Sequence, residues 1–143
     1  MLIDISNLIT PEVYKVIYRM GHMDELVIAD ANYSASAVSS KVVYSYASEN
    51  HVLLAEILKY FPLDEDTANP VAVMTPDHGY SHDPEVWSYY GYVFSQAYGS
   101  RNLQLAQIPR QAFYERTKRA YATIQTTDPR VYADIIIRKG FVV

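Results

Sequence analysis

The residues with the clearest chemical potential lie in Gly21-His22-Met23-Asp24-Glu25 and in the apolar run Leu26-Val27-Ile28-Ala29 that ends at Asp30. Helix periodicity stops at Gly21, and a short apolar run bounded by polar residues reads as a buried strand. His22 therefore stands at a turn. Asp30 stands just past the strand's carboxyl end, the edge at which open α/β sheets bind ligands. Histidine titrates near neutral pH and suits proton shuttling, so the arrangement points to acid–base chemistry without a cofactor. A second constellation, His78 and His82 with Asp77 and Asp83, has a His-x-x-x-His spacing that would put both rings on one helix face. Pro76, Gly79 and Pro84 argue for a loop instead, where that spacing has no geometric force, and no metal site is expected. His51 is expected on the solvated face of a helix start, and Asp64-Glu65-Asp66 in a solvated loop.

The elements that must position these groups alternate between helix and strand periods, which defines an α/β chain. Thr10 and Pro11 mark a first helix with the stripe Val13, Val16, Ile17 and Met20, and Gly21 is expected to supply a left-handed stop. Strands are expected over 26–30 and 41–46, with a loop of small residues, 31–40, between them. Ser48 is expected to cap a helix with the stripe Leu54, Ile57, Leu58 and Phe61. An acidic loop, 62–70, leads to a strand over 71–74. Asp83-Pro84 opens a helix that buries Val86, Tyr90, Val93, Phe94 and Ala97 and ends at Gly99. A strand over 103–108 precedes a short helix over 109–119, with Glu115 and Arg119 paired on its outer side. Strands over 121–126 and 134–138 flank a turn at Asp128-Pro129. The total is six strands and four helices.

Bulk composition narrows the function classes. The chain has 143 residues, 12 basic against 16 acidic, for a net charge of −4. This length fits one domain, residues 1–143. The charge balance argues against a nucleic-acid groove. Without cysteine there are no disulfides and no thiolate metal sites. The start Met1-Leu2-Ile3-Asp4 lacks the form of a signal peptide, and no apolar run reaches the ~20 residues of a membrane span. A cytoplasmic protein is expected, with no membrane partner. Fourteen tyrosines stand against one Trp; tyrosine combines an apolar face with a polar tip and is enriched at wet interfaces.

Four segments together resemble one family: the Gly21–Glu25 segment with Asp30; Asp83-Pro84-Glu85-Val86; Arg110-Gln111-Ala112-Phe113-Tyr114-Glu115-Arg116; and Tyr132-Ala133-Asp134-Ile135-Ile136-Ile137-Arg138-Lys139-Gly140. In this order and spacing the chain resembles the RbsD/FucU family of monosaccharide mutarotases, closest to its L-fucose branch. The resemblance implies a single three-layer domain with a central six-stranded sheet flanked by helices. It implies an enzyme without cofactor or metal that interconverts the α and β anomers of a free sugar. It also implies a ring-shaped homo-oligomer, typically a decamer, with sites where subunits meet. His22 matches the family's proton donor, and Asp30, Arg110, Tyr132, Ala133 and Asp134 match its substrate-binding positions. Arg110 favours the fucose branch, since the ribose pyranase branch usually carries a histidine there. Two positions depart from the fucose pattern: Asp134 replaces the usual Asn, and Asn32 replaces a common second histidine.

These residue types suit mutarotation. One proton leaves the anomeric hydroxyl while another arrives on the ring oxygen, without redox, phosphate or metal chemistry. His22 is expected to protonate the ring oxygen and take the proton back. Asp30 would hold the imidazole tautomer or bind a sugar hydroxyl, Arg110 would offer its planar fork to adjacent hydroxyls, and Tyr132 would bind the anomeric oxygen. An ionised Asp134 only accepts hydrogen bonds and would lose an amide donor. Taken singly, each residue has an ordinary alternative: a helix cap or surface group for His22, a loop cap for Asp30, an ion-pair partner for Arg110, packing for Tyr132. A non-catalytic sugar-binding or transport-associated oligomer, and a ribose pyranase, are the competing functions.

Overall fold

The computed structural model describes residues 1–143. Helix α1 (Pro11–Arg19) starts where Thr10 accepts from the Val13 N–H at 3.2 Å and Pro11 fills the first turn, and it buries Val13, Val16 and Ile17. The chain leaves α1 through Met20 in an extended conformation. The left-handed residue of the turn is Met23, with φ 74°, and not Gly21. Gly21 is instead fixed by its N–H, which donates to Asp24 Oδ2 at 2.7 Å. Strand β1 (Glu25–Ala29) follows, then a short helix α2 (Ala35–Val38) inside the segment read as loop, which raises the helix count to five.

Strand β2 (Val42–Tyr44), helix α3 (Asn50–Leu58), strand β3 (Val71–Met74), helix α4 (Glu85–Tyr98), strand β4 (Ala106–Ile108), helix α5 (Arg110–Arg119) and strands β5 (Ala122–Gln125) and β6 (Ile135–Arg138) complete the order. Several strands are shorter than the apolar patterns that announced them. Neither Ser48 nor its neighbour Glu49, at the cap position, makes a side-chain cap to α3. Glu115 pairs with Lys118 at 3.6 Å rather than with Arg119.

The six strands form one sheet in the order β2-β5-β1-β6-β3-β4. All neighbours run parallel except β6, which lies antiparallel between β1 and β3. Side chains alternate across a strand, and the core divides accordingly. Leu26, Ile28, Val73, Ile124, Ile135 and Ile137 pack with α1, α3 and α4. Val27, Ala29, Ala72, Met74 and Ile136 pack on the other face with Phe113 of α5 and Ala35 of α2. Three layers result, with the sheet buried on both faces, as parallel sheets require. No helix is long and apolar enough to cross a membrane.

The end of the chain pins the acidic loop. Asp64 N–H donates to the Arg138 carbonyl at 3.0 Å, and Gly140 N–H to the Pro62 carbonyl at 2.7 Å. A Cβ on Gly140 would meet the Leu63 carbonyl oxygen at 2.6 Å. Backbone cannot yield there as a side chain can, so Gly140→Ala should cost about 1–3 kcal/mol, read as a lower urea midpoint with an unchanged slope.

Candidate active site

The polar groups of the site converge at one end of the sheet. β1, β3, β4 and β5 all point their carboxyl ends there, while the antiparallel β6 begins there. The loops leaving these strands deliver Asp30 and Asn32, Asp77 and Tyr80, Arg110, and the Val131–Asp134 segment to one pocket of about 370 Å³. That volume is at the small end for ligand pockets. Tyr33, Tyr114 and Met74 complete its wall.

The segment entering β6 is held from beneath. Tyr132 adopts the left-handed conformation, φ 58°, which a residue with a Cβ occupies only when its surroundings enforce it. The enforcing bonds come from the helices. Trp87 Nε1 donates to the Tyr132 carbonyl at 3.2 Å, Asn50 Nδ2 donates to the Ala133 carbonyl at 3.0 Å, and the Tyr90 hydroxyl donates to that same carbonyl. The Asn50 N–H donates to Asp128 at 2.8 Å, and Thr126 bonds the Asn50 side-chain oxygen. Asp128, fully buried, also takes Arg130 in a bidentate pair at 3.0 and 2.7 Å. Burial alone would push the Asp128 carboxyl up, but Arg130 and the backbone N–H groups outweigh it and hold it below the usual range. Ala133 itself is buried and faces helix side chains, so its carbonyl anchors the segment while Tyr132 and Asp134 reach the pocket.

Arg110 opens α5 and is held by Asp77, with Nε 3.3 Å from Oδ1 and Nη2 bonded to Oδ2. The Asp77 N–H donates to the Tyr132 phenol oxygen at 2.7 Å, so these three residues share one frame. The Arg110 guanidinium holds the Asp77 carboxyl below the usual carboxylate range. Asp30 and Asp134 meet on the buried floor, 5% and 4% exposed. Asp134 Oδ1 accepts from the Asp30 N–H at 2.8 Å, and Asp30 Oδ1 accepts from the Asn32 N–H at 2.7 Å. Burial raises both carboxyls. Asp134 rises well above the usual range because the charge of Asp30 adds to its burial, whereas N–H donors partly offset the rise at Asp30.

Of the residues singled out in the sequence, Asp30, Arg110, Tyr132 and Asp134 are brought together and Ala133 lies beneath them. His22 is not among them. It precedes β1 whereas Asp30 follows it, and β1 alone is five residues, on the order of 16 Å at the rise of a strand. His22 is partly exposed, with Nε2 3.3 Å from Asp64 and 3.4 Å from Asp66 and its ring edge against Phe141. Asp64 is buried rather than solvated. Burial would raise its carboxyl, but the Asp66 N–H and His22 outweigh this and hold it low. These three are also the one group that brings metal-ligand atoms within 4.8 Å of one another. His78 and His82 are exposed and belong to no such group. His51 is half-buried, stacked on Tyr89 and bonded to Arg130, and not on a solvated face. Asp77, Asn50, Trp87 and Tyr90 carry the site's geometry but gave no signal of that role in the sequence. The tyrosine excess was the nearest hint.

The fold and the pocket define an α/β domain with one small pocket of polar and aromatic side chains at the carboxyl end of its sheet. The model of the RbsD / FucU transport protein family matches residues 3–142. The L-fucose mutarotase of Histophilus somni is 39% identical over 140 residues, covering 98% of this chain and 96% of that one. The human fucose mutarotase is 35% identical over 142 residues, covering 95% and 91%. A crystal structure of the Streptococcus pneumoniae fucose mutarotase in complex with L-fucose superposes with a TM-score of 0.88 at 33% identity, covering 99% and 100%. The fold extends to Bacillus subtilis RbsD complexed with D-ribose, at a TM-score of 0.69 and 16% identity. The chain belongs to the RbsD/FucU family.

The raised Asp134 carboxyl ties stability to pH. The native state holds that proton to higher pH than the unfolded chain, which releases it near pH 4, so stability falls as pH rises through and above that range. Asp134→Asn removes the dependence and keeps an acceptor for the Asp30 N–H. Its melting temperature at pH 7 should exceed the wild type's, by about 2–4 °C per kcal/mol recovered, and the excess should vanish near pH 3 in calorimetry.

Proposed function

We propose that this chain is an L-fucose mutarotase, an isomerase that opens and recloses the pyranose ring to exchange α and β anomers. The observation that carries the reading is the convergence of Asp30, Arg110, Tyr132 and Asp134 on one small pocket, in a family whose similar members are fucose mutarotases. A base takes the proton of the anomeric hydroxyl as the bond from the anomeric carbon to the ring oxygen breaks. The ring oxygen accepts a proton, the aldehyde turns, and closure reverses both transfers. Arg110, braced by Asp77, offers N–H donors to adjacent hydroxyls. Tyr132 offers a phenol to the anomeric oxygen, and Asp30 accepts from a hydroxyl.

His22 is the proton donor in this reading, and it comes from a neighbouring copy of the chain. Within one chain β1 separates it from the pocket, whereas a ring of subunits sets the end of one sheet against the turn of the next. Asp64 and Asp66 hold Nε2 and leave the other ring nitrogen free for the sugar. Self-association is supported by large exposed apolar side chains, among them Leu2, Ile3, Tyr18, Tyr46 and Tyr92. The assembly is a ring, a decamer, of single-domain subunits spanning residues 1–143, working in the cytoplasm without cofactor.

Magnetisation-exchange NMR between sugar anomers tests the function. Wild type should speed exchange of L-fucose. Binding without faster exchange would make the protein a carrier, and acceleration of ribose alone would make it a pyranase. His22→Ala should lose about 10²–10⁴-fold in exchange rate while still binding sugar. Arg110→Ala should lose affinity. Subunits of the two inactive variants, mixed in equal amounts and reassembled, should recover about a quarter of wild-type exchange, because half of the sites' histidines and half of their arginines are intact independently. No recovery despite confirmed subunit exchange would place histidine and pocket in the same chain.

A further inference from the structure

Two adjacent carboxylates on the floor of one pocket cannot both accept from the same sugar hydroxyl. A sugar hydroxyl donates one hydrogen bond and accepts others. Two carboxylates would offer it acceptors only, beside their own repulsion. Arg110 attracts the Asp134 charge and lowers its carboxyl, but it is also engaged by both oxygens of Asp77, and burial together with the Asp30 charge outweighs it. The other groups facing the pair add no positive charge. Asp128 acts on Asp30 by its charge and is paired with Arg130, Tyr33 is bonded to Thr117, and Tyr90 is bonded to the Ala133 carbonyl. The hydrogen bonds also distinguish the two members. Asp30 accepts from the Asn32 N–H, an arrangement that favours the anion. Asp134, buried like Asp30, accepts one N–H, from the residue whose like charge faces it.

We propose that Asp30 and Asp134 act as a pair carrying a single proton, held on Asp134, so that one substrate hydroxyl meets a donor on Asp134 and an acceptor on Asp30. The price is a dependence on pH: release of the proton leaves a second buried anion and removes the donor. This rests on the sugar-binding reading of the pocket, but the single proton belongs to the free protein and is tested without sugar.

Carboxyl-carbon NMR of wild-type protein carrying ¹³C-labelled aspartate reads the proton directly, with the Asp134 resonance assigned from Asp134→Asn. The Asp134 carbon should sit at its protonated position at pH 7 and move only at alkaline pH. Both pocket carboxyls ionising below about pH 5, as ordinary aspartates do, would overturn the pair. Asp30→Asn removes the neighbouring charge and should bring the Asp134 transition to lower pH; it also assigns the resonance if Asp134→Asn does not fold. L-fucose affinity by calorimetry is then compared near pH 6 and pH 9. Wild type should weaken by about tenfold or more, and Asp134→Asn should weaken markedly less. Equal weakening would overturn the donor role even if the proton is present. An Asp134 proton seen by NMR in a protein that binds no sugar at all would instead remove the sugar reading and leave the paired carboxyls standing.

Discussion

The carbonyl of Ala133 is the point from which the pocket takes its shape. Asn50 of α3 and Tyr90 of α4 both donate to it, and Trp87 fixes the carbonyl immediately before it. Buried backbone acceptors must be satisfied, and here that need is met by side chains rather than by a neighbouring strand. Three helix residues thus impose the left-handed turn at Tyr132 that sends its phenol towards Asp77 and leads the chain into β6 with Asp134 facing Asp30. Asp128 ties the same Asn50 to the start of the segment. Removing one member leaves a buried partner unpaired, so the framework stands or fails as a unit.

The antiparallel placement of β6 gives this clamp its consequence. Had β6 run parallel, its first residues would lie at the sheet end occupied by His22 and Asp64. Running antiparallel between β1 and β3, it starts where they finish. Asp134 is thereby delivered to the same edge as Asp30 although 104 residues separate them. The same reversal carries Lys139 and Gly140 to the opposite edge, where they brace the loop that presents Asp64 to His22. One strand therefore positions the floor of the pocket and the support of the histidine, at opposite ends of the sheet. In the proposed ring, the histidine end of one copy would meet the pocket end of the next.

Local patterns made part of this legible. Thr10-Pro11 started α1, the apolar run 71–74 was a strand, and Asp30 sat where a strand's carboxyl end should place it. These features depend on residues close in sequence. Gly21 misled because glycine permits a left-handed stop without demanding one; the Asp24 carboxylate captured its N–H and moved the positive φ to Met23. Asp64 looked like one of three solvated acids because nothing nearby in sequence announces the Arg138 carbonyl or the His22 ring that make its burial tolerable. Asn50, Trp87 and Tyr90 were read as helix residues and no more. Their function lies in contacts 43 to 83 residues away, which periodicity does not encode.

Burying an aspartate where an amide would hydrogen-bond just as well needs a physical consequence to be worth noticing, and charge supplies it. An amide at position 134 would donate to Asp30 or to a hydroxyl at every pH. A carboxyl does so only while it keeps its proton, and here burial and the Asp30 charge both favour keeping it. The two chemistries are therefore alike near neutrality and diverge as the solution becomes alkaline. Arg110 lessens the rise at Asp134 without cancelling it, since Asp77 engages the same guanidinium. Asp77 thus orients Arg110 beside the pocket and shares its charge. With that charge free of Asp77, the Asp134 carboxyl would be drawn further down towards the ordinary carboxylate range.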